Sequence, residues 1–538
     1  FLLSLLALVG LIFLLRHSQW RVTGLLVIAW LVGGAGAIST LDTAFWHFKR
    51  YQMPLIALLF PLAAWGAAAF PARARPLRSG LVAVTAIATV LTTYPFLSYF
   101  LLNVDYVYRQ PLQMARWLEA NTPPDAVIAV HDTGMMRYLG GRTTVDIVGL
   151  TTPGAADYWR NGPGSVAEFL DSVRPDFIAS YGRGHGLGLG YLADTSLYAD
   201  ALASYTVTLN PQHNVALAAD AQGIYQPEWT PADRSTSIWQ PSTLDAIEGW
   251  RLIEQIDVGD LVSERVHRYR WWNDERLGGF PTEVYEMGYI ACGALDCTVM
   301  DGGRLINGEE TFTLVTFPNE DVLLVTRLHP RGAGTFDVYA NGQRVATRWI
   351  PELPGSWLEV ATLIPRALVT GDTVEIRIVP NVPSGHYMPY GHWAYQGVFE
   401  PEQPTGEPAA TFQDGAIRLQ TYALDYQPET QKLAVELTWA SAGAAQGDAK
   451  IFVHVLDREG LTAAQADVRP GQGALPPGNW LPGVLRDTIM VDLANLSPGR
   501  YRVVMGLYDP VTQTRFAPSA GDSAQRLPLG EVEISGDG

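Results

Sequence analysis

Four polar residues near the middle of the chain, His131, Asp132, Arg142 and Asp146, stand at the ends of short β-branched runs. A histidine beside a carboxylate, with a guanidinium and a second carboxylate at neighbouring strand ends, can bind a polar headgroup or move a proton. The same four suit buried ion pairs and turn caps. A second set, His47, Arg50 and Tyr51, lies in the stretch Phe45-Trp46-His47-Phe48-Lys49-Arg50-Tyr51, where an apolar run begins. A cation there can pair with the phosphate of a lipid-linked substrate, because guanidinium presents a fork of donors that matches phosphate geometry. The alternative is that these residues only anchor a helix at a membrane interface. Trp393, Tyr395, Trp480 and Tyr387 suit stacking on sugar rings, or else a sandwich core. Cys292 and Cys297 are the only cysteines, and a disulfide closing a small loop is the reading for an oxidising compartment. No further Cys or His at ligand spacing accompanies them, so no metal site is read here. No cofactor is implied, and a divalent metal is left open.

Signatures of soluble enzymes are missing: there is no G-x-S-x-G elbow, no H-E-x-x-H and no phosphate loop ending in Gly-Lys-Ser/Thr. The stretch Gly182–Gly190, GRGHGLGLG, never reaches the G-x-G-x-x-G spacing and reads as a flexible loop.

These residues are carried by two unlike regions. The chain has 538 residues with 37 basic and 54 acidic groups, a net charge of −17, which argues against nucleic acid as a partner. Residues 1–102 run against that balance, with seven basic residues and one acid, Asp42. Four apolar runs occupy this head: Phe1–Leu15, Val22–Ser39, Met53–Phe70 and Gly80–Leu102. Each approaches the roughly 20 residues needed to span a bilayer, so four transmembrane helices are expected. Arg16 and Arg21 separate the first two runs, and Arg73, Arg75 and Arg78 the last two, which makes those joints cytoplasmic by the positive-inside rule. The fourth run then exits outward, placing residues 103–538 outside the cell membrane. The first residue, Phe1, already lies in an apolar run, so the chain is expected to be the C-terminal part of a longer membrane protein.

The outer body divides at two stretches poor in aliphatics, 226–244 and 400–410 (the latter EPEQPTGEPAA), both read as linkers. Residues 103–225 alternate helix (Leu112–Ala120, Ser165–Val173) and strand (Ala126–Val130, Thr144–Val148, Asp176–Ser180), a small α/β domain. Residues 245–399 are strand-rich, with Asn341-Gly342 as a hairpin turn between Phe336–Tyr339 and Arg344–Thr347, and fit a jelly-roll sandwich. Residues 411–538, with strands at Leu433–Trp439, Ile451–Asp457 and Tyr501–Tyr508, fit an immunoglobulin-like sandwich. The expected fold class is thus a four-span all-α membrane region followed by an α/β domain and two β-sandwiches.

Arg50-Tyr51 entering an apolar span, a last span, and then Asn121-Thr-Pro-Pro-Asp125 … His131-Asp132-Thr-Gly134 … Tyr138 … Arg142 … Val145-Asp146-Ile-Val-Gly149-Leu150 together resemble the C-terminal end of bacterial membrane glycosyltransferases of the GT-C fold. These are the dolichyl-phosphate-mannose mannosyltransferase and aminoarabinose transferase type. The resemblance covers roughly 40–160, and more loosely 411–538, where Phe452-Val-His-Val-Leu-Asp457 and Trp480-Leu-Pro-Gly483 resemble a sandwich appended to such proteins. It implies a polyprenyl-phosphate sugar donor and a lipid, protein or glycan acceptor on the outer membrane face. By position, Arg50 and Tyr51 match the pair that meets the donor phosphate, and Asp132, Arg142 and Asp146 match the outer-domain motif. The family's catalytic carboxylate lies in the first outer loop, a region without a counterpart here, so no residue is assigned as catalytic base. The rival expectation is a membrane-anchored, non-enzymatic protein that holds glycan or protein through its sandwiches.

Overall fold

The computed structural model describes residues 2–41, 44, 50–182, 192–199, 201–274, 278–292, 296–383 and 387–534. Helices form over all four apolar runs: α1 (Leu2–Arg16), α2 (Arg21–Ser39), α3 (Met53–Ala68) and α4 (Arg75–Arg109). Three helical stretches are long and apolar enough to cross a membrane, Arg21–Ser39, Arg50–Ala68 and Arg75–Asn121; the first helix is apolar but shorter. α1 and α3 approach closely because both are glycine at the crossing. A Cβ on Gly10 would sit 1.9 Å from the Leu62 carbonyl oxygen, and one on Gly66 2.0 Å from that of Leu6. Small residues at such crossings are how apolar helices pack where solvent supplies no hydrophobic drive.

α4 runs directly into α5 (Pro111–Asn121) and an α/β layer. Its sheet contains β1 (Val127–Val130), β2 (Thr143–Asp146), β3 (Phe177–Tyr181), β4 (Ala201–Thr206) and β5 (Ala221–Tyr225), in the order β2-β1-β3-β5-β4. β1 is parallel to both β2 and β3, while β5 is antiparallel to β3. Helices α6 (Thr133–Gly140), α7 (Ala155–Asn161) and α8 (Pro163–Val173) complete the layer. Met114 and Leu118 of α5 pack under Ile128 and Val130, and Val166 and Leu170 of α8 cover Ile178 and Ala129.

The next body is a sandwich of two sheets. One joins, in order, strands 343–350, 334–340, 373–381, 309–315 and 270–272; the other joins 358–364, 321–328, 389–397 and 251–257. Phe312, Val338 and Ile376 from one sheet and Ile256, Leu324 and Val360 from the other share a single core. The Asn341-Gly342 turn forms as expected, with both residues at positive φ. A two-stranded ribbon, 282–287 with 299–304, links this sandwich to α8, and Cys292 is joined to Cys297 beside it with Cα atoms 6.5 Å apart. Residues 410–534 form another pair of sheets around Trp439, Val453 and Met505. The two sandwiches meet where Asn479 exchanges hydrogen bonds with the Trp349 backbone, at 2.7 and 2.9 Å.

The stretch expected to be a linker at 226–244 is instead a folded strap. A short helix at Thr230–Asp233 packs on ribbon strand 299–304 with Ala232 in the α/β core, and another at Pro241–Ile247 lies along the first sandwich, with Ile238 packed on Val325 and Trp393. Buried Arg327 donates to the carbonyls of Ser235 and Ser237, and Glu359 accepts from the backbone N–H of Trp239 and Gln240. The strap's polar composition is satisfied by partners about 90 to 120 residues away, which local composition does not reveal.

Candidate functional site

β1 lies where the chain order of the parallel strands reverses, with β2 on one side and β3 on the other. In open α/β sheets the crevice outside the carboxyl ends of strands at such a reversal is the usual ligand position. His131 and Asp132 follow β1 at that end, and Tyr181 closes β3 beside them. His131 Nδ1 lies 3.1 Å from Asp132 Oδ1. The other carboxylate oxygen, Oδ2, accepts from Tyr181 Oη at 2.7 Å and from Gln222 Nε2 at 2.6 Å. The His131 ring stands edge-on to those of Tyr181 and Trp159. Burial works to raise the Asp132 pKa, but the hydrogen bond and charge of His131 and the donors Tyr181 and Gln222 outweigh it. The carboxyl is held below its usual 3.8. Side chains of His131 and Asp132 remain 14% and 29% accessible, so an ionised carboxylate beside an imidazole is presented at the crevice.

This site is tied to the last apolar helix. Asn103 of α4 donates to the His213 carbonyl and accepts from Val215 N–H, both at 2.8 Å. The Tyr106 hydroxyl accepts from Asn210 N–H, and Gln110 donates to the carbonyls of Tyr205 and Asp220. The loop so gripped also donates from Ala218 N–H to the Tyr181 hydroxyl, the group that holds Asp132. Against the same helix face is a cavity of about 360 Å³, lined by Phe100, Val104, Val107, Leu112, Met135 and Ala216. Met135 stands three residues beyond Asp132, in the first turn of α6.

The four residues expected to act together are thus divided. His131 and Asp132 form the crevice pair. Arg142 instead binds the end of α5, donating to the carbonyls of Glu119 and Thr122 at 2.8 and 2.7 Å and to Thr122 Oγ1. It satisfies carbonyls that a helix end leaves open. Asp146 is buried and accepts from the backbone N–H of Val148, Gly149 and Thr151, a turn cap. That turn needs Gly149, whose φ is +85° and whose added Cβ would meet Ala156 N at 2.1 Å. Tyr181 and Gln222 were not singled out from sequence. Tyr181 ends a strand that sequence did mark, whereas Gln222 lies on an antiparallel strand with no local sign of its role.

Arg50 is exposed at the start of α3, with its guanidinium 6.0 Å from the Tyr51 ring; His47 lies outside the described residues. Among the described residues no hydrogen bond or ion pair joins Arg50 to the crevice pair. The expected sugar-stacking set is corrected. Trp393 is 1% accessible, stacked under Arg327 and bonded to the Thr236 carbonyl beneath the strap. Trp480 and Tyr387 are buried in the two sandwich cores, and Tyr395 is half-buried. Trp393, Trp480 and Tyr387 are enclosed because the sandwich faces that sequence left open are covered by the strap or by the opposing sheet.

Residues 103–256 match a domain of unknown function, DUF8728, so the match begins in α4 and ends in the first strand of the sandwich, with the strap inside it. No curated protein matches the chain. Solved structures similar in part include a putative beta-galactosidase from Bacteroides fragilis, at 16% identity over 42% of this chain and 33% of that one (TM-score 0.16). Others are a beta-glucuronidase from glycoside hydrolase family 2 (10%, 46% and 25%, TM-score 0.16) and the Ruminococcus gnavus beta-glucuronidase (12%, 48% and 47%, TM-score 0.14). The chain spans less than half the length of each. Superpositions this loose define neither a shared fold nor a shared activity.

Proposed function

We propose that this chain is the C-terminal portion of an integral-membrane glycosyltransferase of the GT-C type, with four spans and residues 103–538 extracytoplasmic. It serves transfer of a sugar from a polyprenyl phosphate to an acceptor at the outer membrane face. The observation that supports this best is the apolar cavity along α4 whose Met135 wall is three residues from Asp132. A polyprenyl chain fits an apolar groove on a membrane-exiting helix, and an ionised carboxylate beside an imidazole suits the hydroxyls of the attached sugar. In the reaction the acceptor hydroxyl attacks the anomeric carbon, the glycosyl–phosphate bond breaks with inversion, and polyprenyl phosphate leaves; a carboxylate base takes the hydroxyl proton. The role of His131 and Asp132 is to bind and orient, with Tyr181 and Gln222 fixing the carboxylate.

Photo-crosslinking with a diazirine-bearing polyprenyl phosphate in membranes tests the reading. Label is expected on 100–112 and on Met135, with a drop of at least tenfold when Val104→Trp fills the cavity. Label spread evenly over all apolar helices, and unchanged in V104W, would overturn it and leave the anchored binding protein as the better account.

A further inference from the structure

Where the α/β layer meets the first sandwich, three carboxylates from distant parts of the chain converge. Glu168 comes from α8, Asp257 from the end of strand 251–257, and Asp301 from strand 299–304. One oxygen from each lies within 4.8 Å of the others. Gly302 permits the approach: its N–H donates to Glu168 Oε1 at 2.8 Å, and a Cβ there would lie 2.6 Å from that oxygen and from the Gly164 carbonyl.

The charges do not balance. Arg327 is shared between Asp301 (2.8 Å) and Glu359 (3.4 Å), and Glu359 also accepts from Tyr289 and from the strap backbone. Asp171, which adds its charge to the cluster's surroundings, is paired with Arg174, and Asp260 caps the helix at Leu261–Val266. One arginine therefore serves Asp301 and Glu359, and no cation pairs with Glu168 or Asp257 among the described residues. Asp257 Oδ1 is fully enclosed and meets no donor. Carboxylates crowded this way need either a shared proton or a bound cation between them.

We infer that Glu168, Asp257 and Asp301 form a site for one hard divalent cation, Ca²⁺ by its ligands, that joins the α/β layer to the first sandwich. All three ligands are oxygens, and opposite ligands of a calcium ion at its usual 2.3–2.6 Å stand about 5 Å apart, so a set within 4.8 Å can share one ion without rearrangement. Two uncompensated carboxylates match one divalent charge.

The test uses the 538-residue chain in detergent, stripped with EGTA and then titrated with Ca²⁺ to about 2 mM. Thermal unfolding is expected to shift upward and saturate with one equivalent, Tb³⁺ luminescence is expected to report the same site, and Asp257→Asn is expected to weaken both at least tenfold. Glu168→Gln serves as the second variant should D257N fold poorly. The inference is overturned if stripped wild-type protein shows neither a shift nor Tb³⁺ luminescence, the result for a proton-sharing cluster. It is equally overturned if D257N and E168Q respond to Ca²⁺ as wild type does.

Discussion

Two carboxylate sites in this molecule behave in opposite ways. Asp132 is surrounded by donors: an imidazole, a phenol and an amide point at its two oxygens. Asp257 is surrounded by acceptors, and its neighbours are Glu168 and Asp301. Enclosure penalises the charged form in both places. Three hydrogen bonds to an ionised group reverse that penalty at Asp132, while at Asp257 like charge adds to it. At an effective dielectric of about 20, two charges 4.8 Å apart repel by roughly 3 kcal/mol, comparable to what a charged hydrogen bond returns. Burial alone therefore does not set the protonation state of a carboxylate; the polarity of its immediate neighbours does.

The largest effect expected of any single change is at Arg327, the buried cation shared by Asp301 and Glu359. Arg327→Met leaves Asp301 and Glu359 unpaired and frees the strap carbonyls, and should cost about 3–5 kcal/mol in urea unfolding. A loss under about 1 kcal/mol would mean the junction is already protonated. The pH response should have opposite signs at the two sites. The folded pKa of Asp132 lies below its unfolded 3.8, so its contribution is complete above that pH and is lost as pH falls through the folded value. Burial raises Asp301 from 3.8 to about 7 against the pull of Arg327, and Glu168 and Asp257 are raised as well. Without cation, the folded junction holds more protons than the unfolded chain between about pH 4 and pH 7, and stability falls as pH rises through that window. The difference between wild type and Asp257→Asn isolates this, because His329, pushed down to about 4 by burial and Arg331, cancels. Asp257→Asn should gain stability relative to wild type as pH rises, and a gain that grew toward low pH instead would break the contrast.

Tyr181→Phe should cost about 1–2 kcal/mol, since it removes one donor to Asp132 and strands Ala218 N–H; the Asp132 carboxyl resonance should then titrate at higher pH. The smallest effect sharpens the contrast from outside. The exposed pair Arg160–Asp157, 2.9 Å apart, should tolerate Arg160→Gln within about 0.5 kcal/mol, because open water screens it.

Sequence patterning located what depends on neighbours in the chain. The four apolar runs became helices, and the Asn341-Gly342 turn formed where its residue types put it. His131 and Asp132 were legible because a strand end followed by a turn is a local event. Arg142 and Asp146 were marked as polar residues in the right region, yet their partners are backbone groups whose positions only the folded turn supplies. The junction cluster left no trace: Glu168 and Asp301 are 133 positions apart, and nothing in the local pattern of either strand or helix requires a carboxylate. The strap misled for a related reason, since a stretch rich in Pro, Ser and Thr reads as open until Arg327 and Glu359 arrive to bind its backbone.

The grip on α4 has a mechanical consequence. Asn103, Tyr106 and Gln110 fall within eight positions of one another, and all three are bonded to the segment 205–220. A rod clamped over two turns cannot spin or slide without carrying the clamp along. Ala218 belongs to the clamp and holds Tyr181, so torque on this apolar helix reaches the Asp132 carboxylate through two hydrogen bonds.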